Sequence, residues 1–194
     1  MDLQTVNRLL KECDGNFSVF YPIFGERLKV YKEWELPFPG EFLFFEDHYL
    51  KIKKHMLENN IPLDIVDIGC QHGLQSEIFL DAKSYVGIDC QRPSHFMNSE
   101  KPNIRYIVGI FPDINIDLTG KTVISSMSLG YFDEWIHPDK DEARKQIVEK
   151  LKECNVLYIV SVKSLVNKLA THFQTVEILD KAEHGDFDLY VLQK

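Results

Sequence analysis

Several features that would narrow the class of this protein are missing from its sequence. The four cysteines are scattered and form no CxxC pair, which argues against a zinc knuckle or a disulfide framework and fits a reducing compartment. No apolar run approaches the roughly 20 residues that a transmembrane helix needs. The amino terminus lacks the basic and apolar regions of a signal peptide. We therefore expect a cytoplasmic protein without a metal site.

Basic side chains are also in short supply. The chain has 22 lysines and arginines against 30 acidic residues, which gives a net charge of −8. Nucleic-acid backbones are bound through a basic footprint, so this balance argues against a large nucleic-acid interface and leaves only a local patch open. The nearest candidate patch is Lys51, Lys53, Lys54 and His55. We interpret it as the solvated face of a helix.

The first 60 residues differ in character from the rest of the chain. Residues 13–40 hold seven of the 23 aromatic residues, interrupted by prolines and glycines that rule out a long helix. Residues 3–12 and 42–58 have the apolar spacing of amphipathic helices. The longer stripe comprises Phe42, Phe45, Tyr49, Ile52 and Met56. We predict that residues 1–60 form a helical, aromatic-rich arm packed on the core, and we favour packing over a ligand-covering lid for its aromatic side chains.

Residues 61–194 alternate between apolar runs and helical segments, which predicts a parallel sheet covered on both faces. The predicted parallel strands lie at residues 65–68, 85–89, 104–108, 122–127 and 156–162. Predicted helices at 139–151 and 164–170 flank the last of these strands. Two further runs, at 176–179 and 187–192, are joined by too few residues for a crossover and must form an antiparallel hairpin. The fold class is therefore α/β, with a Rossmann-like, seven-stranded, mostly parallel sheet ending in that hairpin.

A turn with two glycines follows the first predicted strand. Residues 67–73 read Asp-Ile-Gly-Cys-Gln-His-Gly and are predicted to lead into a helix at about residues 74–80. Gly69 and Gly73 would let the chain turn tightly and let a ligand approach the backbone without meeting a Cβ. Asp67 lies at the strand's carboxyl end, where open α/β sheets bind ligands. Asp89 ends the second strand 22 residues later and is placed to accept hydrogen bonds from ribose hydroxyls.

Together these residues resemble the motifs of class I S-adenosylmethionine-dependent methyltransferases. Asp67-x-Gly69-Cys70-x-x-Gly73 is similar to the first motif of that family, and Gly87-Ile88-Asp89 to its ribose-binding second motif. The resemblance covers roughly residues 62–194 and includes the terminal hairpin. It implies S-adenosylmethionine as cofactor and methyl transfer to a small molecule or a protein side chain as function. The domain at 61–194 would then be methyltransferase-like.

The resemblance also implies a role for each residue of the site. The turn from Gly69 to Gly73, with Asp67 nearby, would contact the methionyl part of the cofactor, and Asp89 would hold the ribose. Cys90 and Ile110 would lie against the adenine. Ser126, near the end of the fourth strand, would border the methionine moiety and the acceptor. The implied cofactor-binding set is therefore Asp67, Gly69, Cys70, Gly73, Asp89, Cys90, Ile110 and Ser126.

The sequence departs from the family pattern in three ways, two in the cofactor motifs and one in the fourth motif. Gln71 replaces a glycine in the first motif, and Gly109 follows the third strand where many members carry an acidic residue. Residues 125–131, Ser-Ser-Met-Ser-Leu-Gly-Tyr, match neither the Asn-Pro-Pro-aromatic signature of amine methylation nor the Pro-Cys nucleophile of cytosine methylation. No catalytic residue is therefore assigned. The acceptor also remains unassigned.

Several polar residues near this site have simpler interpretations. Cys70 and Cys90 end adjacent strands and are interpreted as small, half-buried thiols rather than a metal or disulfide pair. His48 and His72 titrate near neutral pH and could act as bases, but we interpret both as surface or capping residues. The same interpretation is given to three residues that follow the fourth strand. These are Tyr131, Asp133 and His137.

Two other functions are weighed against methyl transfer. A dinucleotide-binding oxidoreductase would carry a Gly-x-Gly-x-x-Gly turn, whereas Gly69 and Gly73 are separated by three other residues. The terminal hairpin also counts against it. A non-catalytic module of the same fold, which binds the cofactor or has lost it, is not excluded by the sequence.

Overall fold

The computed structural model describes residues 39–70, 73–90, 101–126, 128–129, 140–182 and 187–194. Several predictions fall outside these ranges and stay predictions. They concern the helix at residues 3–12, the aromatic-rich segment up to residue 38, and the residues Gln71, His72, Tyr131, Asp133, His137 and Asp139.

Each predicted element within the described ranges is present. The helices are α1 (Pro39–Glu58), α2 (Lys140–Leu151) and α3 (Lys163–Ala170), with a short 3₁₀ helix at Leu74–Phe79. The strands are β1 (Asp64–Ile68), β2 (Ser84–Asp89), β3 (Ile104–Val108), β4 (Thr122–Ser126), β5 (Val156–Val160), β6 (Thr175–Asp180) and β7 (Leu189–Gln193). Strand limits differ from the predicted ones by no more than two residues, whereas α1 begins three residues early at a proline, a residue favoured in the first helical turn.

The strands form one seven-stranded sheet in the order β3-β2-β1-β4-β5-β7-β6. The first five strands of the chain pair in parallel. Strand β7 lies between β5 and β6 and pairs antiparallel to both, which confirms the predicted hairpin. The connection between β6 and β7 is too short for the crossover that a parallel pair of strands would need.

Each face of the sheet is covered by its own helical layer. On one face α1 and the 3₁₀ helix bury an apolar cluster, which includes the stripe residues Tyr49, Ile52 and Met56. On the other face α2 and α3 bury a second cluster. The central strands are thus buried on both faces, as the near-continuous apolar runs predicted, whereas the edge strand β6 is mostly exposed. No helix among the described residues is long and apolar enough to cross a membrane.

The segment after the glycine turn is a tighter helix than an α-helix. Its six residues form a 3₁₀ helix, with Gly73 in the left-handed conformation before its first residue. Runs of this kind are short because their hydrogen-bond geometry is poor. The helix predicted at residues 74–80 is therefore present, but it is short and covers little of the sheet. Helix α1 covers more of the same face.

Polar side chains bind α1 to the sheet at several points, which the sequence analysis did not foresee. Lys53 is completely buried, is paired with Asp81, and lies 5.6 Å above the ring of Phe79. Burial lowers the pKa of Lys53, and the Asp81 carboxylate opposes that shift. Lys51 contacts Asp180 at the far edge strand. The interpretation of this lysine cluster as a solvated helix face is therefore wrong for Lys53, because its charge is neutralised inside the protein.

The Lys53–Asp81 pair gives a test of how firmly α1 is anchored. Asp81→Ala should reduce the free energy of unfolding by about 3 kcal/mol, because it leaves a buried charge without its partner. Lys53→Met in the same background should recover at least half of that loss, because the methionine fills the site without a charge. Urea unfolding at pH 7 measures both. A loss below about 1 kcal/mol for Asp81→Ala would show that water solvates the lysine.

Candidate functional site

The predicted site residues collect along one edge of the sheet. Strands β1 and β4 are neighbours, and the chain leaves them toward helical layers on opposite faces of the sheet. Such a reversal opens a crevice at the carboxyl ends of the strands, where α/β folds bind ligands. All eight predicted residues lie at or just beyond the carboxyl ends of the four strands β1 to β4.

Asp67 is sealed beneath α1 and does not face the crevice. Its side chain is completely buried and accepts three hydrogen bonds from neighbouring elements. The Tyr49 hydroxyl donates to Oδ1 at 2.8 Å, and the Tyr85 hydroxyl and Gln75 Nε2 donate to Oδ2 at 2.5 and 3.0 Å. Gln75 also donates to the carbonyl of Cys70 at 2.8 Å, which ties the carboxylate to the glycine turn.

The hydrogen-bond donors around this carboxylate are neutral, so burial has the largest effect on its pKa. Burial raises the pKa of Asp67 to about 6, and the hydrogen bonds from Tyr85, Tyr49 and Gln75 only partly oppose the shift. The negative charge of Asp89 at the end of the neighbouring strand raises the pKa further. Asp67 therefore changes its charge within one or two pH units of neutrality.

Gly69 lies where the loop after β1 contacts the turn after β4. Its φ is +77°, and a Cβ there would lie 2.1 Å from Cβ of Ser128, in the turn after β4. The Ser128 hydroxyl donates to the carbonyl of Ile68 at 2.6 Å and contacts the Ser125 hydroxyl at 2.8 Å. Glycine is required at position 69 by this loop contact, whether or not a ligand binds nearby.

Tyr106 of β3 explains the glycine at position 73. A Cβ on Gly73, whose φ is +69°, would lie 2.4 Å from the Tyr106 ring, and one on Gly87 would lie 2.7 Å from it. The Tyr106 hydroxyl contacts the Ser76 hydroxyl at 2.9 Å and donates to the Gly73 carbonyl at 3.1 Å. The space expected to admit a ligand beside Gly73 is thus filled by an aromatic ring of the protein itself.

The amides of the turn that the structure describes also have hydrogen-bond partners. Both Gly69 and Cys70 donate their backbone N–H to the carbonyl of Ile88, at 2.7 and 3.0 Å, and Gly73 donates to the carbonyl of Cys70 at 2.8 Å. These bonds hold the turn against the end of β2. Gly69, Cys70 and Gly73 thus form a platform beside Asp89 whose backbone donors bond within the protein itself.

The two cysteines of the site have different surroundings. Cys70 is completely buried, and its Sγ would lie 2.8 Å from a Cβ on Gly87. Burial raises the pKa of the Cys70 thiol, and the carboxylates of Asp67 and Asp89 raise it further. Cys90 is exposed, and both residues are reduced thiols. The interpretation of a half-buried thiol is thus wrong for Cys70, which packs inside the platform.

Of the predicted residues, Gly69, Asp89 and Ile110 are partly open to solvent at this edge, and Cys90 is exposed. The Asp89 side chain ends β2, while its backbone carbonyl accepts the N–H of Gly109 at 2.9 Å from the loop after β3. That bond fixes the strand end and holds the loop carrying Ile110 beside it. A carboxylate and an apolar side chain are thus presented on adjacent strand ends.

His48 is a residue that the sequence analysis placed wrongly. Only 3% of its surface is exposed, and its Nδ1 lies 3.3 Å from Oγ of Ser126, itself 6% exposed. A surface or capping role is therefore excluded. The signal was available, because His48 precedes the buried Ile52 by four residues and so shares its helix face. Gln75, Tyr85 and Tyr106 were missed because only folding brings them to the turn.

Comparison of the structure with solved proteins finds methyltransferases. The methyltransferase domain of a bacterial Hen1 aligns with a TM-score of 0.55 at 9% identity, covering 75% of this chain and 97% of that one. Magnesium protoporphyrin IX methyltransferase from Synechocystis PCC 6803, solved with bound S-adenosylmethionine, aligns at 0.54 and 11% identity, covering 100% and 98%. No family model and no curated protein matches the sequence. The chain therefore has the class I methyltransferase fold, as the motifs implied.

The buried carboxylate of Asp67 predicts an unusual pH dependence of stability. Its pKa is about 6 in the folded protein against 3.8 when unperturbed, so the folded state binds the proton more tightly. This contribution to stability is complete below pH 3.8 and is lost as the pH rises through 6. Relative to Asp67→Asn, the wild type should gain about 2–3 kcal/mol in unfolding free energy between pH 7.5 and pH 4. Urea titrations of both proteins measure this, and a pH-independent difference would contradict it.

Two glycines with the same backbone conformation allow the cost of backbone strain to be measured separately from the cost of overpacking. Gly73 and Gly120 have φ values of +69° and +72°, but a Cβ on Gly120 would meet only Asn155, at 4.0 Å. Gly120→Ala should cost about 1 kcal/mol for the backbone alone. Gly73→Ala should cost about 1–3 kcal/mol more, because it overpacks Tyr106. Tyr106→Ala should remove that excess in a double-mutant cycle. Equal losses at the two glycines would show that the ring moves aside freely.

Proposed function

We propose that this chain is an S-adenosylmethionine-dependent methyltransferase whose cofactor lies across the carboxyl ends of β1 and β2. The observation that carries the proposal is the sheet order β3-β2-β1-β4-β5-β7-β6, with β7 antiparallel between β5 and β6. A dinucleotide-binding sheet has the order 3-2-1-4-5-6 and no such inserted strand. The same edge presents Asp89 at the end of β2, beside the glycine turn.

The residues at this edge fit the parts of that cofactor. Asp89 supplies a partly exposed carboxylate that can accept hydrogen bonds from both ribose hydroxyls. Ile110 and Cys90 border the same strand ends and supply the apolar and polarisable surface that an adenine ring prefers. The backbone from Gly69 to Gly73 borders the methionyl part. When bound, the cofactor supplies a methyl group that is already activated on a sulfonium, so the chain's main task is alignment.

Asp67 acts in this proposal as a positioning residue. It holds Tyr49 of α1, Tyr85 of β2 and Gln75 of the 3₁₀ helix in one network. Because Gln75 also binds the Cys70 carbonyl, the network sets the shape of the turn from below. We therefore assign Asp67 to the support of the cofactor site, and Asp89 to direct contact with the ligand.

The acceptor is proposed to be a small molecule or a protein side chain. The net charge of −8 gives little attraction for a nucleic-acid backbone. A non-catalytic module of the same fold is the competing function, and the internally bonded turn is compatible with it. Cofactor binding distinguishes the methyltransferase from a module that has lost the cofactor, because such a module will not bind it.

The first measurement is calorimetric titration with S-adenosylhomocysteine, which should bind with micromolar or tighter affinity. Asp89→Ala should weaken binding by about 1.5–3 kcal/mol, the range for hydrogen bonds to a charged group. Asp117→Asn is the matched control, because this exposed aspartate precedes β4 at the opposite edge and its described hydrogen bonds are with the nearby Thr119. Its affinity should equal that of the wild type.

Two outcomes would count against the proposal in different ways. Absence of heat and of thermal stabilisation at millimolar ligand would remove the cofactor and favour the non-catalytic module. Tight binding that Asp89→Ala leaves unchanged would keep the cofactor and remove Asp89 from its site.

A further inference from the structure

The buried contact between His48 and Ser126 differs from three other polar contacts of α1. The partners of Lys53, Lys51 and His55 lie away from the crevice, on the connection before β2 and within β6 and β5. Those contacts fix the helix on the sheet. The His48 contact reaches the last residue of β4.

That strand end is one wall of the crevice. Ser126 lies two residues before Ser128, whose hydroxyl binds the end of β1 and whose Cβ approaches Gly69. In the sheet, Ser126 pairs with Val160 of β5, whereas Asp89 lies beyond β1 on the other side. The pair therefore lies on the opposite side of β1 from the proposed ribose contact.

The described titratable neighbours of His48 on α1 have partners of their own. On α1, Tyr49 binds Asp67, and Lys53 is paired with Asp81. On the packed strands the titratable groups are Asp67 of β1, Tyr85 and Asp89 of β2, Tyr158 of β5, and Cys70 after β1. Asp67 is bound by Tyr49, the residue that follows His48.

A proton must leave when a hydroxyl or amine is methylated. The bond from the acceptor atom to the methyl carbon forms while the carbon–sulfur electron pair stays on sulfur, and the acceptor's own proton needs a base. Histidine is the side chain whose unperturbed pKa suits that exchange near neutral pH. His48 and Ser126 provide an imidazole and a hydroxyl already in contact and almost free of water.

We infer that Ser126 and His48 form the proton-accepting pair of the site, and that the methyl acceptor is a protic nucleophile, a hydroxyl or an amine. The acceptor's proton passes to Oγ of Ser126 as the serine proton moves to Nδ1 of His48. The products are the methylated acceptor, a neutral thioether and an imidazolium, so charge and atoms balance. This inference rests on the methyltransferase function proposed above.

The test needs no acceptor, because S-adenosylmethionine and S-adenosylhomocysteine differ by one methyl group and one positive charge. The probe is the histidine Hε1 resonance in NMR titrations of the two complexes between pH 5 and pH 8, with His48 assigned from the signal lost in His48→Asn. A sulfonium beside the pair should lower the pKa of His48 by about one unit relative to the homocysteine complex. The resonances of His55 and His172 are internal controls and should titrate alike in both complexes.

The affinity ratio of the two ligands gives a second readout. One pKa unit corresponds to a tenfold change, so binding of S-adenosylmethionine relative to S-adenosylhomocysteine should rise about tenfold from pH 5 to pH 8. His48→Asn keeps a polar side chain beside Ser126 but cannot take up the proton, so it should abolish most of the rise. Asp67→Asn measures the share that comes from the buried carboxylate.

The outcomes separate this inference from the proposed function. If neither ligand binds, the methyltransferase function fails and the pair loses its role with it. If both bind and the pKa of His48 is the same in the two complexes, the function stands and the inference is overturned. A pH-dependent ratio that survives in His48→Asn would also overturn it.

Discussion

The carboxylate of Asp67 is the constraint on which the arrangement of this site depends. It is completely buried, and its three donors come from three different elements, α1, β2 and the 3₁₀ helix. A buried carboxylate without partners would cost several kcal/mol, so the surrounding elements must adopt positions that supply donors. The helix α1, which precedes the sheet in sequence, is thereby joined to the strand end that begins the glycine turn.

Because of this constraint, helix α1 is part of the site as well as a cover for the sheet. Tyr49 and His48 are consecutive, so the helix that delivers one hydroxyl to Asp67 also delivers an imidazole to Ser126 on the adjacent strand. Movement of α1 would disturb both contacts together. The buried Lys53–Asp81 pair farther along the helix resists such movement, because separation would expose each charge to an apolar interior.

The two glycines of the turn are required for packing within the protein. Glycines after a first strand suggest room for a ligand, yet Gly69 accommodates Ser128 and Gly73 accommodates Tyr106. The glycines shape the platform through internal packing, and the ligand contacts are proposed for groups beside it. Motif residues of this kind are therefore compatible with cofactor binding without themselves making the contact.

The sequence by itself determined the fold class, the seven strands to within two residues, the antiparallel hairpin and the sheet edge at which the candidate site residues collect. These follow from local patterns, since strand runs, apolar stripes and connection lengths are properties of neighbouring residues. Only the tertiary structure decided that Asp67 is sealed, that Lys53 is buried, and that His48 meets Ser126. Each of these depends on contacts between residues 18 to 78 positions apart. Such contacts leave no periodic signal in the chain, because the burial of a polar group is set by the partner that folding brings to it.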